Sequence, residues 1–205
     1  MRRCVFCDKD RFWYHKQAGI PFDNAIVYQN DSVYVTPDIS PICKGHFLII
    51  PFEHCNGFLY ADRVIINSVK DAVGYICQSI YKHYEFTCFE HGMSANSEGA
   101  SSVDHAHLHI FPVALDIDLM DSTKCIQTYK PEEEIIQVMA PYIMTCISGV
   151  SPKFYTIDKA LPSQFLRVLY GDALGVTFNC DWKNNYATQE SKRRYFETLS
   201  MCERK

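Results

Sequence analysis

The stretch DHAHLHIF, Asp104 to Phe111, decides how this chain is read. It places His105, His107 and His109, three of the chain's eight histidines, at every second position. Ala106 and Leu108 lie between them, and Ile110 and Phe111 follow. Strict alternation is the period of a β-strand, so three imidazoles project from one face and apolar side chains from the other. An imidazole row is costly to bury unpaired and packs poorly. It is either a His-rich strand face left in water or a row assembled for chemistry.

The sequence upstream supplies a sheet for that strand. AIVYQNDSVYVTPD, Ala25 to Asp38, is two short β-branched and aromatic runs around Asn30-Asp31, the pattern of a hairpin. GHFLIIP, Gly45 to Pro51, is a continuous apolar run stopped by proline, a well-buried strand. Ile65, Val69, Ala72, Val73, Ile76 and Ile80 recur at helical spacing and predict one long helix over 62–81. EFTCFEHG is a further strand, and the Ser-, Asn- and Gly-rich residues 93–102 form a loop before the histidine row. Past about residue 115 the character changes. Pro131 followed by three glutamates starts a helix, with acids at the positive end of its dipole. KFYTID reads as a strand, SQFLRVLY as a helix, and residues 189–201 as a last helix. The expected fold class is therefore α+β: an antiparallel sheet with one long helix over 1–115, and a mostly helical extension over 116–205 packed on it.

Composition limits the function. Apolar content of 47% and charged content of 21% are those of a soluble globular protein. No apolar run reaches the roughly 18 residues a membrane span needs. MRRCVFCDKD has no apolar segment of a signal peptide. Ten cysteines without such a segment point to reduced thiols in the cytoplasm. A net charge of −4 gives no basic surplus and weighs against nucleic acid as a partner. Most cysteines are scattered singly, as small hydrophobes are, but Cys4 and Cys7 form a CxxC. That pair has a redox reading, which needs a thioredoxin-like βαβ context that is not visible, and a zinc reading, which needs two more N or S ligands.

DISPICKGHFLIIPFEH, followed about fifty residues later by HAHLHIF, resembles the histidine triad (HIT) family, whose signature alternates three histidines with apolar residues. The resemblance covers about residues 1–115. It implies a nucleotide substrate, attacked at its α-phosphate, and assigns roles position by position. His107 would be the nucleophile and form a nucleotidyl-histidine. His109 would serve the phosphate or leaving group, with an element near His46 holding the nucleophile's tautomer. Asp38 would bind ribose hydroxyls. Ser101 and Ser102 would touch phosphate, and Asn96 and His91 are loop candidates for the same task. Phe6, Ile20 and Phe22 would line a base pocket, unless they are simply core. Many hydrolase members have Gln where Ser101 stands, so one leaving-group contact is missing here. The chemistry suits the residue types: imidazole is largely neutral at physiological pH, and covalent catalysis splits one hard displacement into two easier ones.

The same resemblance implies a structural zinc on Cys4, Cys7, His54 and His105, closed by four ligands and so organising the fold rather than activating water. It also implies a homodimer, whose face the extension could cover. Hydrolysis is the favoured activity. Nucleotidyl transfer by the same covalent step, and a nucleotide-binding adaptor, are the alternatives, and an intact His107 argues against the adaptor. In the extension, Gln164 and Arg167 sit three apart and would share a helix face. That face is either solvated or closes over the nucleotide site, where Arg167 would pair with a polyphosphate in place of the contact Ser101 lacks.

Overall fold

The protein is described from a computed structural model over residues 4–7, 11–23, 25–82, 84–93, 105–122, 126–130, 132–157, 161–178 and 180–202. Asn96, Ser101, Ser102 and Pro131 lie outside these residues.

The hairpin forms as β1 (Tyr28–Gln29) and β2 (Val33–Pro37), with the Asn30 side chain accepting from the Ser32 and Val33 amides to close the turn. GHFLIIP supplies β3 (Phe47–Pro51). The long helix is α2 (Arg63–Tyr75), capped by the Asp62 carboxylate on the Ile65 amide and continued by a π-helical segment, Ile76–Tyr81. Before it lies the short helix α1 (Trp13–Ala18). EFTCFEHG gives β4 (Thr87–Gly92), and the histidine stretch gives β5 (Leu108–Phe111), so His105 and His107 sit just ahead of the strand proper.

Strands from both sides of residue 115 share one sheet. After α3 (Leu119–Ser122) come β6 (Ile126–Tyr129), α4 (Glu132–Val138), β7 (Tyr142–Ile147) and β8 (Lys153–Ile157). The helices α5 (Phe165–Ala173), α6 (Trp182–Asn185) and α7 (Gln189–Leu199) complete the helical C-terminal part. The eight strands run β1-β2-β3-β5-β4-β7-β8-β6, every pairing antiparallel. Residues 142–147 were not anticipated as a strand. They zip onto β4 from Thr87↔Ile147 to Gly92↔Tyr142, so the edge that β4 would otherwise expose is paired.

Register explains the histidine row. His109 faces Leu48 on β3 and Phe89 on β4, which puts these three side chains on one face. Leu108 and Ile110 point the other way and pack with Val35, Ile49, Ile65, Val69 and Ala72 beneath α2. The His109 face carries Phe89 and Phe111, which pack with Ile143, Leu166 and Tyr170 of the C-terminal part. The His109 end of the imidazole row thus packs against residues of the C-terminal part. His105 and His109 are buried and His107 half-buried.

Candidate functional site

Hydrogen bonds set the proton positions of the triad. The Ile42 amide donates to His46 Nδ1 at 3.2 Å. A neutral His46 with Nδ1 accepting must carry its proton on Nε2, and Nε2 lies 2.8 Å from His109 Nδ1. His109 therefore accepts at Nδ1 and keeps its own proton on Nε2. Burial, foremost, holds both rings well below the usual histidine pKa, with the charge of Arg167 acting in the same direction. They are neutral donors through the physiological range. His107 is the opposite case. Its Nδ1–H donates to the His105 carbonyl at 2.7 Å, which leaves the Nε2 lone pair unprotonated. Burial lowers its pKa as well, against the opposing pull of that carbonyl bond. The group that fixes His107 is thus the carbonyl of His105, two residues back in the segment leading into β5, and not an element near His46 as the family resemblance implied. His46 acts on His109 instead.

Stacking fixes the His109 ring. It lies parallel to Phe89 with centroids 4.4 Å apart, and Phe89 stacks on Tyr170 of α5 at 4.9 Å. The His107 and His109 rings, 5.0 Å apart, face a cleft of about 650 Å³ counting its open mouth. Phe6, Tyr34 and Asp38 line it, and the extension adds Gln164, Arg167 and Trp182. Two expected base-pocket residues are elsewhere. Ile20 packs with Ala18 and Tyr195 in a separate cluster, and Phe22 is exposed, stacked on Phe12. His91 is in β4 and does not line the cleft.

Asp38 and Arg167 meet inside this site. Arg167 Nη1 donates to Asp38 Oδ2 at 2.5 Å, Nη2 to the Ser40 carbonyl at 2.5 Å, and Nε to the Cys180 carbonyl at 3.1 Å. Asp38 Oδ1 accepts from the Ser40 amide at 2.7 Å. Both residues are buried. This corrects the solvated-face reading of Gln164 and Arg167. It also changes the expected role of Arg167, whose three nitrogens each already donate to this chain. Gln164 stands outside the helix with φ 64, so the pair converges on the cleft without sharing a helical face. Nothing in the residue spacing links positions 38 and 167, so sequence reasoning missed the pair.

Cys4, Cys7, His54 and His105 converge on one point. Their ligand atoms all lie within 4.8 Å of one another, with Cys4 Sγ 3.2 Å and Cys7 Sγ 3.9 Å from His105 Nδ1, and Cys7 Sγ 3.6 Å from His54 Nδ1. Tetrahedral zinc with ordinary Zn–S and Zn–N bonds separates its ligands by about 3.3–3.8 Å, so this donor set fits. His105 is also oriented as a metal-binding histidine should be. Its Nε2–H donates to the Pro51 carbonyl at 3.0 Å, which leaves Nδ1 as the lone-pair nitrogen toward the thiols. Phe6, between the two cysteines, packs against the rings of His105 at 5.7 Å and His107 at 5.4 Å. Asp38, His46 and His109 also cluster within 4.8 Å, but there the inward His46 Nε2 carries a proton that it donates to His109 Nδ1, and Arg167 donates to Asp38 Oδ2. That second group is a hydrogen-bonded relay.

The profile of the HIT domain matches residues 21–114. An uncharacterized HIT-like protein of Saccharolobus solfataricus is 31% identical over 118 residues, spanning 57% of this chain and 79% of its own. An uncharacterized HIT-like protein of Borreliella burgdorferi is 31% identical over 120 residues, spanning 55% of this chain and 76% of its own. Among solved structures, a Zn-bound histidine triad family protein of Mycobacterium smegmatis aligns with a TM-score of 0.37 at 18% identity, covering 62% of this chain and 88% of that one. The domain match spans the alternating histidines whose proton positions the fold has fixed, two relatives 31% identical are each covered over three quarters of their length, and the chain belongs to the HIT family.

Proposed function

We propose that the protein is a nucleotide hydrolase acting at the α-phosphate of nucleoside 5′-phosphate derivatives through a nucleotidyl-histidine intermediate. One observation carries this reading: the His105 carbonyl holds the proton on His107 Nδ1, so an unprotonated Nε2 faces the cleft. That nitrogen attacks the α-phosphorus. A P–N bond forms, the bond to the leaving group breaks, and the leaving group takes the electron pair. His109 Nε2–H stands beside it to donate to a phosphate oxygen or the departing group, and its neutrality is secured by burial among His46, Phe89 and Tyr170. Water then attacks the phosphorus: a P–O bond forms, the P–N bond breaks with its electron pair returning to His107 Nε2, and the proton of the water is released to solvent. The aromatic wall of Phe6 and Tyr34 suits a base, and the Asp38 carboxylate, on the cleft wall, retains lone pairs for ribose hydroxyls. Ser101, Ser102 and Asn96 are assigned to the phosphate side on sequence alone.

We assign residues 1–115 as the catalytic unit and 116–205 as an extension packed on its histidine face. Zinc on Cys4, Cys7, His54 and His105 would be structural. Held by these four residues, it would tie down the CxxC turn that carries Phe6, whose ring packs against His107. Among the described residues no helix is long and apolar enough to cross a membrane. The test is a screen of adenylate and guanylate esters, phosphoramidates and dinucleoside polyphosphates with the purified protein. Release of nucleoside monophosphate that depends on His107 supports the reading. Failure to turn over every member of the panel contradicts it.

A further inference from the structure

The C-terminal part does more than cover the histidine face. It grips the segment 38–45, which leads from β2 to His46, at four points. Arg167 of α5 binds Asp38 and the Ser40 carbonyl. On α7, Ser191 Oγ pairs with Ser40 Oγ at 2.9 Å, Arg194 Nε donates to the Pro41 carbonyl at 2.7 Å, and Thr198 Oγ1 accepts from the Gly45 amide at 3.0 Å. Gly45 itself has φ +85, and a Cβ there would strike Pro112 at 2.8 Å, so the turn into His46 requires glycine. The Ile42 amide that fixes the His46 tautomer lies inside this gripped segment.

Asp38 is the threat to that arrangement. Its Oδ2 lies 3.8 Å from His109 Nδ1 and 3.9 Å from His46 Nε2. A buried carboxylate so close to His109 Nδ1 favours a proton on that nitrogen, from which it could accept a hydrogen bond, if it has nothing better to accept. His109 would then carry its proton on Nδ1, the His46–His109 bond would break, and a lone pair would replace N–H at the cleft. Adding a proton instead gives the imidazolium. Arg167 pre-empts both outcomes by taking the same oxygen, Oδ2, in a charge-assisted bond.

We infer that Arg167, supplied by the extension, is a positioning residue: by occupying Asp38 it keeps His109 as the Nε2–H tautomer that donates into the cleft. The groups that act on the His46–His109 pair are Asp38 from the segment after β2, Arg167 from α5, and His107 ahead of β5. The inference rests on the proposed hydrolase reading only for its consequence in turnover, not for the tautomer itself.

The experiment is ¹⁵N NMR of the histidine ring nitrogens in the full chain. Wild type is expected to show His109 with an unprotonated Nδ1 and a protonated Nε2, and His46 likewise. In Arg167→Met the His109 pattern is expected to invert, or the ring to titrate at higher pH than in wild type. Asp38→Asn combined with Arg167→Met removes both charges and is expected to restore the wild-type pattern. If Arg167→Met fails to fold, Arg167→Gln serves in its place with the same expectation. An unchanged His109 pattern in the folded single variant, or an inverted one in the double variant, overturns the inference. In turnover, the single variant is expected to lose about 10²–10⁴-fold in kcat, the usual contribution of a positioned proton donor, with KM little changed, and the double variant to recover part of it. A wild-type NMR pattern with no turnover of any nucleotide would defeat the hydrolase reading and leave the tautomer claim standing.

Discussion

Replacing Glu90 with Gln is expected to make the protein more stable than wild type in mild base and to leave the two alike in acid. Glu90 sits on β4 and is wholly buried. Its Oε1 accepts from the Phe58 amide at 2.9 Å and its Oε2 from the Tyr142 hydroxyl at 2.5 Å, while Tyr142 in turn accepts from the Leu59 amide at 3.0 Å. Burial raises the carboxyl from 4.5 to about 7, and these donors recover only part of the cost. A folded pKa above the unfolded one means the native state holds the proton more tightly. Its contribution to stability is complete below the unfolded pKa and is lost as pH climbs through about 7. Integrated between about pH 5 and about pH 8, a shift of this size amounts to roughly 2–3 kcal/mol. Gln keeps the acceptor for Phe58 and cannot ionise. The buried histidines pull the other way over part of this range, since burial first and foremost pushes His15 and His91 down to about 4. They are common to both proteins and cancel in the difference. Urea denaturation of wild type and Glu90→Gln across this range is the assay. The gap between them should widen with pH by roughly 2–3 kcal/mol, or roughly 5–10 °C in Tm for a chain of this size. A gap that stays constant with pH would show that Glu90 is not carried protonated in the fold.

Other changes test other parts of the structure. Cys4→Ser and His54→Ala are each expected to lower bound zinc and thermal stability together, because binding free energy in such sites is folding free energy; metal analysis finding no zinc in protein purified without chelator would remove the site. Gly92→Ala drives a Cβ into the ring of Tyr142. Displacing that ring frees Glu90 and Leu59 of their partner, so the variant should lose about 3 kcal/mol or more in denaturant titrations, and a loss under about 1 kcal/mol would show that Tyr142 can move without cost.

Much of this was legible in sequence because it is periodic. The alternation 105–109 put three imidazoles on one side, and the helical spacing from Ile65 to Ile80 put α2 on the other. The four-residue metal set, taken from a family resemblance, converges in space, with the Pro51 carbonyl holding the His105 ring. What stayed hidden joins positions far apart that no period connects. Tyr142 reaches Glu90 across the sheet, and Arg167 reaches Asp38 from a helix whose sequence shows only an amphipathic stripe. PYIMTCI follows the helix-forming run after Pro131 and is not distinguished from it in sequence, since a short apolar run has no distinctive period and the β4 edge that recruits it is a tertiary feature. The tautomers of His46, His107 and His109 were likewise out of reach, because they depend on contacts that no period reveals: the Ile42 amide on His46, the His105 carbonyl on His107, and His46 together with the Asp38–Arg167 pair on His109.

The central claim is that His107 Nε2 becomes covalently attached to the nucleotide. Rapid-quench mass spectrometry under alkaline conditions, which preserve a phosphoramidate, measures this directly on any substrate the screen provides. The account predicts that the peptide carrying His107 gains the mass of a nucleoside monophosphate residue within the first turnover, and that His107→Asn folds, gains no such mass and loses turnover by several orders of magnitude. Near-normal turnover by His107→Asn, or an adduct on any other residue, would contradict it.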